Sequence, residues 1–310
     1  MTACACTATR LRPFRAILAS GVVFAISGCA LSPLAARTAA FSTAANAAIS
    51  QTTNAYQLVN QSYAEAQMAI LVSTYDRTGF DAATIKPFLP DEDLEVRTTV
   101  LNGLQQYAAL LAEVSGNQPV ADMEAQATAA GTSLASLQQS SFKSFKITGT
   151  EQNLAVTAVA ALGRALIEHQ RARALPAILD EMNKPIQDIC TILQSDIGTI
   201  GKPGLASALH RDYDDQIAAQ RKFIQDNSAT MSADERRAEI EALPKLVLAQ
   251  RQSDKTLAAT AKSLAALAAA HAALAATRNQ KDAPAFKLEL AKLVQNAQAI
   301  SGFYASLSSK

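Results

Sequence analysis

Three histidines and a few cysteines are the side chains with which this chain could do chemistry. His169 lies one turn from Leu162 and Leu166, and His271 sits between Leu264 and Leu274. Two imidazoles on the apolar seams of two long helices could meet across a bundle and hold a metal or haem. Without a carboxylate or thiolate they make an incomplete metal site, so each is expected to be an ordinary core or half-buried histidine. His210 and Asp214 are four apart, with Asp212 and Asp215 close by. That spacing shares a helix face, which suits a solvated charged surface better than a metal. The chain carries no Gly-x-Ser-x-Gly, His-Glu-x-x-His, Cys-x-x-Cys-His, glycine-rich phosphate loop or Glu-x-x-His pair. No catalytic residue, metal ligand or cofactor is expected. Cys190, between Ile189 and Ile192, reads as a buried structural thiol.

These side chains must be carried on helices. Tryptophan is absent, glycine and proline number 12 and 10 in 310 residues, and β-branched runs are few. The fold class expected is all-α, an elongated up-and-down bundle of long, coiled-coil-like helices. A first helix is placed near 37–76. It includes 27 uncharged positions from Thr38 to Ala64, which suit burial within its own bundle better than pairing with a second chain. Asp91, Glu92 and Asp93 open the next helix, where the dipole favours negative charge, and it runs to about Val114. Another follows from about Val120 to Ser140, then a loop, Phe142-Lys-Ser-Phe145-Lys-Ile147, that lies on the bundle or touches a membrane surface. Thr148-Gly-Thr-Glu151 has capping-box spacing. From Leu175 to Ile200 apolar residues recur every three or four positions, as on one long helix. Pro176 and Pro185 are expected to kink that helix, as a static bend or a hinge. A turn at Gly201–Gly204 precedes a helix of about 22 residues to Gln225. Ser232-Ala-Asp-Glu235 caps a long helix to about Asn279, with Leu243, Leu246, Leu257, Leu264, Leu267, His271 and Leu274 at heptad-compatible positions. Asp282-Ala-Pro284 starts the last.

The N-terminus has a separate logic. Arg10, Arg12 and Arg15 precede an apolar run of 13 residues from Ala16 to Gly28, ending Ile26-Ser27-Gly28-Cys29. The run is shorter than the roughly 20 residues a membrane-spanning helix needs. It has the size and flank of a signal h-region. The segment resembles a bacterial lipoprotein signal peptide with its lipobox. That resemblance implies a diacylglycerol thioether on Cys29 and cleavage before it. Residues 1–28 are then a signal peptide, 29–36 a lipidated tether and 37–310 a single helical-bundle domain. Two or three acyl chains, at about 0.8 kcal/mol per buried methylene, would hold the domain at a membrane almost permanently. Ala30 and Leu31, with no aspartate after Cys29, resemble the outer-membrane-sorted class, facing the periplasm.

Cleavage would remove three arginines and no acids, leaving 25 basic and 27 acidic residues and a net charge of −2. Such a mixed, nearly neutral chain offers no basic patch for nucleic acid. Cys4 and Cys6 would leave with the signal, so Cys190 has no disulfide partner. The expectation is a non-enzymatic interaction or structural module of the cell envelope, held to the membrane through lipidated Cys29 and binding another envelope protein. The alternatives are a small-ligand or metal carrier and a pore-forming or membrane-acting helical protein. For the last, Ser263–Thr277 is the best span, at 15 uncharged residues too short to cross.

Overall fold

The helices begin where local chemistry favours them. Ser32 Oγ accepts the Ala35 N–H at 3.2 Å, and Pro33 takes the first helical position, where its missing N–H costs nothing. The first helix, α1 (Pro33–Thr78), therefore starts four residues before the expected boundary. In a computed structural model, residues 32–78, 85–116, 123–168 and 175–308 are described. Residues 1–28, expected to be a signal peptide, Cys29 and His169 lie outside them. After α1 come α2 (Asp91–Gly116), α3 (Met123–Ala135), a 3₁₀ turn (Gln139–Phe142), α4 (Gly149–Glu168), α5 (Leu175–Ile197), α6 (Leu205–Asn227), α7 (Ala233–Ala276) and α8 (Pro284–Ser308). The fold is an all-α bundle, with no strand among the described residues.

Both capping boxes form. At α4, Glu151 N–H donates to Thr148 Oγ1 (3.3 Å), and Thr148 N–H donates back to the Glu151 carboxylate (2.7 Å). At α7, Ser232 and Glu235 make the same reciprocal pair at 3.3 and 2.8 Å. Each box satisfies two donors that a helix start otherwise leaves bare. The hydrogen bonds from Thr148 hold the Glu151 carboxyl below its usual range.

Three expectations are corrected. The helix expected to reach Ser140 ends at Ala135, and the chain turns through the 3₁₀ segment into a loop whose Phe142 and Phe145 are buried. The long seam around Pro176 and Pro185 belongs to α5 alone. Pro176 sits in its first turn, where it breaks no helical hydrogen bond and kinks nothing. Ile200, counted in that seam, lies in a turn and is 50% exposed. Pro185 is inside α5, and Ile186, Ile189 and Leu193 continue the buried face beyond it. The heptad seam of α7 faces the core from Leu257 onward, while Leu243 and Leu246 are half-buried. The α7 helix packs on α8, α5, α6 and α1 rather than along a single partner.

One core joins the helices. Phe41, Ile49, Tyr56 and Val59 of α1 meet residues such as Leu104, Tyr107 and Leu111 of α2, Ile186 and Leu193 of α5, and Leu264, Leu267 and Leu274 of α7. One face of the uncharged stretch of α1 is thus buried within its own bundle, Thr38, Thr52 and Ser62 included, while Ala39, Thr43, Ala47, Ser50, Asn54, Gln57 and Gln61 are exposed. The α7 helix also contains an 18-residue apolar window long enough to cross a membrane, and half of it is buried in this core. That window is longer than the 15-residue uncharged span expected, because within a helix that ends at Ala276 it takes in Lys262. Arg37 ties α1 to the end of α7. Its guanidinium donates to the carbonyls of Thr277 (2.8 Å), the residue that ends the helix, and Gln280 (2.9 Å), in the turn beyond it. Helices α3 and α4 cross at two glycines. A Cβ on Gly131 would lie 2.8 Å from the Gly163 carbonyl oxygen, and one on Gly163 would lie 3.0 Å from that of Gly131.

Candidate functional site

Arg97 and Asp196, both fully buried, form the polar centre of the bundle. Nε and Nη2 of Arg97 donate to the two carboxylate oxygens, each at 2.8 Å, a bidentate geometry. Asp196 also accepts from Tyr56 Oη and from the Lys146 backbone N–H, each at 3.1 Å. The remaining Arg97 donors go to Asp93 O (2.8 Å), Ser144 Oγ (3.0 Å) and Ser144 O (3.2 Å). The guanidinium carbon lies 4.1 Å from the Phe145 ring centroid and 5.6 Å from that of Tyr56. Burial, then the Asp196 charge, keeps the Tyr56 hydroxyl protonated well above its usual range. The network clamps α1, α2, α5 and the 143–147 loop together, and fixes the backbone of Lys146 at the edge of an open cleft.

That cleft has a volume of about 660 Å³ and lies at the α5–α6 turn. Gly198, at φ +66°, ends α5 in the left-handed conformation that glycine tolerates. The turn then folds back so tightly that Gly204 Cα lies 3.0 Å from where a Gly198 Cβ would stand. Ser207 pins it by accepting from Gly201 N–H (2.8 Å) and donating to Thr199 O (3.2 Å). Lys146, Lys202, His210 and Arg211 line the cleft beside Phe88 and Ile200, and no carboxylate is among its walls. Sequence reasoning missed the three cations, which come from three separate segments with no spacing in common.

His210 and Asp214 do share a face, and the structure adds Asp254 from α7. His210 Nδ1 lies 3.0 Å from Asp254 Oδ2, and Nε2 lies 3.7 Å from Asp214 Oδ2. Gln250 of α7 donates to His210 O (3.1 Å) and Asp214 Oδ1 (2.8 Å). Instead of a merely solvated surface, this face is a cross-brace between α6 and α7. Among the described residues no group of three or more histidine, cysteine, aspartate or glutamate side chains is placed to hold a metal. Asp212 points inward. Burial, then the neighbouring Asp215, lifts its carboxyl to about 6.

His271 is fully buried, and its Nε2 is 2.8 Å from Tyr107 Oη. Phe41 meets the imidazole edge-on at 5.8 Å. Burial lowers its pKa to about 4, so the ring is neutral. The proposed meeting of His169 with His271 falls outside the described residues. Cys190 is buried, and desolvation pushes its thiol up to about 12.

A second surface stands at the other end of α7. Arg37 lies by Thr277 and Phe41 by His271, so α1 and α7 run antiparallel. Gln220 reaches Glu239 and Gln250 reaches His210, so α6 and α7 do too. These registers bring the C-terminal parts of α1 and α6 to the N-terminal part of α7. There Met68, Val72, Ile240 and Leu248 are 40, 51, 49 and 50% exposed. Exposed Lys222, Asp226, Arg237, Glu241 and Lys245 are interspersed with them.

No family model, curated protein or solved structure matches this chain.

Proposed function

We propose that this chain is a lipid-anchored, periplasm-facing helical protein of the bacterial envelope, held at the outer membrane through Cys29. On this reading it acts without catalysis, by binding another envelope protein. The anchor rests on the lipobox resemblance. The binding role rests on one observation, the exposed aliphatic side chains Met68, Val72, Ile240 and Leu248 at the shared end of α1, α6 and α7. Large aliphatics clustered toward one end of a bundle and interspersed with charges of both signs suit an interface with an apolar centre and polar rim. Fully burying one such side chain contributes roughly 1.5–3 kcal/mol, so covering four half-exposed ones would supply about half that each. The partner that fits is a helix whose apolar face lies along this end.

The test is a crosslinked pull-down of the full lipidated protein from its native envelope, beside Val72→Lys/Ile240→Lys. The expected result is one near-stoichiometric partner with the wild type, lost with the variant. Retention of the same partner by the variant, or no partner with either protein, would remove the interaction reading. The cleft at the α5–α6 turn favours the second reading, a small-ligand carrier.

A further inference from the structure

Positive charge is gathered at one concave place in a chain whose total charge is close to zero. Lys146 from the loop after the 3₁₀ turn, Lys202 from the α5–α6 turn and Arg211 from α6 all face the 660 Å³ cleft. None of the three makes an ion pair among the described residues. Of the neighbouring carboxylates, three are engaged and one is turned inward within reach of the Arg211 charge, while exposed Asp215, one turn along from Arg211, forms no wall of the cleft. Asp196, beneath Lys146, is neutralised by Arg97. Asp254 and Asp214 hold His210, and Asp212 is turned into the protein. Like charges converging on a cavity repel one another unless an anion sits between them, and a concave wall focuses their field.

We infer that this cleft binds a phosphate-type oxyanion. Arg211 supplies a planar fork of donors suited to phosphate oxygens, and the two lysines supply mobile point charges. Their backbones are held by different devices. Lys146 is fixed through its N–H to Asp196, Lys202 through the turn that Ser207 pins, and Arg211 by the helix that Gln250 braces at His210 O. The α6 start has no side-chain cap, so its first-turn N–H groups add to the field on the same side. Phe88 and half-exposed Ile200 give the cleft an apolar wall next to the charges. The ligand is therefore a phosphate carried on a body with some apolar surface, either a soluble phosphate ester or a phospholipid headgroup.

The experiment uses the full lipidated protein in maltoside micelles, which contain no phosphorus, and reads ³¹P line width. One arm titrates inorganic phosphate, and the other dopes the micelles with phosphatidylglycerol. Cleft-dependent broadening of phosphate assigns the soluble source, and broadening of phosphatidylglycerol alone assigns the headgroup. In either arm Lys202→Gln/Arg211→Gln is expected to weaken the apparent affinity at least tenfold. Lys262→Gln/Lys281→Gln, which removes the same charge elsewhere at two exposed lysines, is expected to change it less than twofold. Lys146→Gln alone gives an independent reading of the same site and is expected to weaken binding severalfold. No broadening in either arm, or equal broadening in wild type and Lys202→Gln/Arg211→Gln with unchanged helical circular dichroism, would overturn the assignment.

Discussion

Replacing Asp196 by alanine is expected to be among the most damaging single changes to this bundle. The substitution deletes both carboxylate contacts to Arg97, at 2.8 Å each, and leaves Tyr56 Oη and Lys146 N–H without the acceptor they use now. Arg97 keeps three acceptors, Asp93 O, Ser144 Oγ and Ser144 O, but none of them carries charge. A buried ion whose partner is removed costs about 3–5 kcal/mol. At roughly 2–4 °C per kcal/mol for a chain of this size, the melting temperature should fall by about 6–20 °C. Urea unfolding followed by helical circular dichroism measures the loss. The double variant Arg97→Met/Asp196→Leu removes both charges together. It is expected to lose at least about 2 kcal/mol less than the two single losses added, because the uncompensated ion is then gone. A loss below about 1 kcal/mol for Asp196→Ala, or simple additivity in the double variant, would refute the claim that this pair is a coupled, desolvated unit.

The other predictions concern the remaining buried groups and the tightest crossing. His271, held at about 4 in the folded state against the usual 6.5, takes up its proton first in the unfolded chain. Its contribution to stability is full above about 6.5 and falls by about 3 kcal/mol as the pH drops to about 4. His271→Gln should flatten that part of the stability–pH profile, and an unchanged profile would count against a neutral buried ring. Asp212 works in the opposite direction, because its folded pKa of about 6 stands above the usual 3.8. Its contribution is full below about 3.8 and is lost as pH rises through about 6, so Asp212→Asn should raise stability at pH 7 relative to pH 4. Gly163→Ala forces a methyl group against the Gly131 carbonyl oxygen and should cost about 1–3 kcal/mol in urea unfolding; a neutral result would mean α3 and α4 separate freely. Cys190, with its thiol pushed up to about 12, should resist a disulfide-exchange reagent in the folded lipidated protein and react once urea unfolds it. Rapid modification of the folded protein would contradict its burial.

What could be read from the sequence was what is encoded within a few residues. Thr148 with Glu151, Ser232 with Glu235, and the acidic start of α2 each announce a helix by local spacing, and each helix is there. The all-helical class follows from the same short-range propensities. The start and end of α5 were hidden because Pro176 is equally at home in a first turn and at a kink, and because the apolar spacing ran on past Ile197 to Ile200 by coincidence. Burial of His271 was legible from the leucines around it, but its partner Tyr107 is 164 residues away. Arg97 and Asp196, 99 residues apart, resemble surface charges on their own helices, and only packing brings them together. The cations of the cleft were invisible for the same reason. Lys146, Lys202 and Arg211 converge because Asp196, Ser207 and Gln250 hold three segments in place.

The central claim is that a lipid on Cys29 holds this bundle at a membrane, and the N-terminal peptide of the purified protein tests it most directly. Trypsin should release a peptide that begins at Cys29 and ends at Arg37. Mass spectrometry should find it carrying diacylglycerol through the sulfur, and Cys29→Ser should abolish both the lipid and the cleavage before residue 29. An unmodified peptide starting at any other residue, or one that retains residues 1–28 in the wild-type protein, would contradict the account.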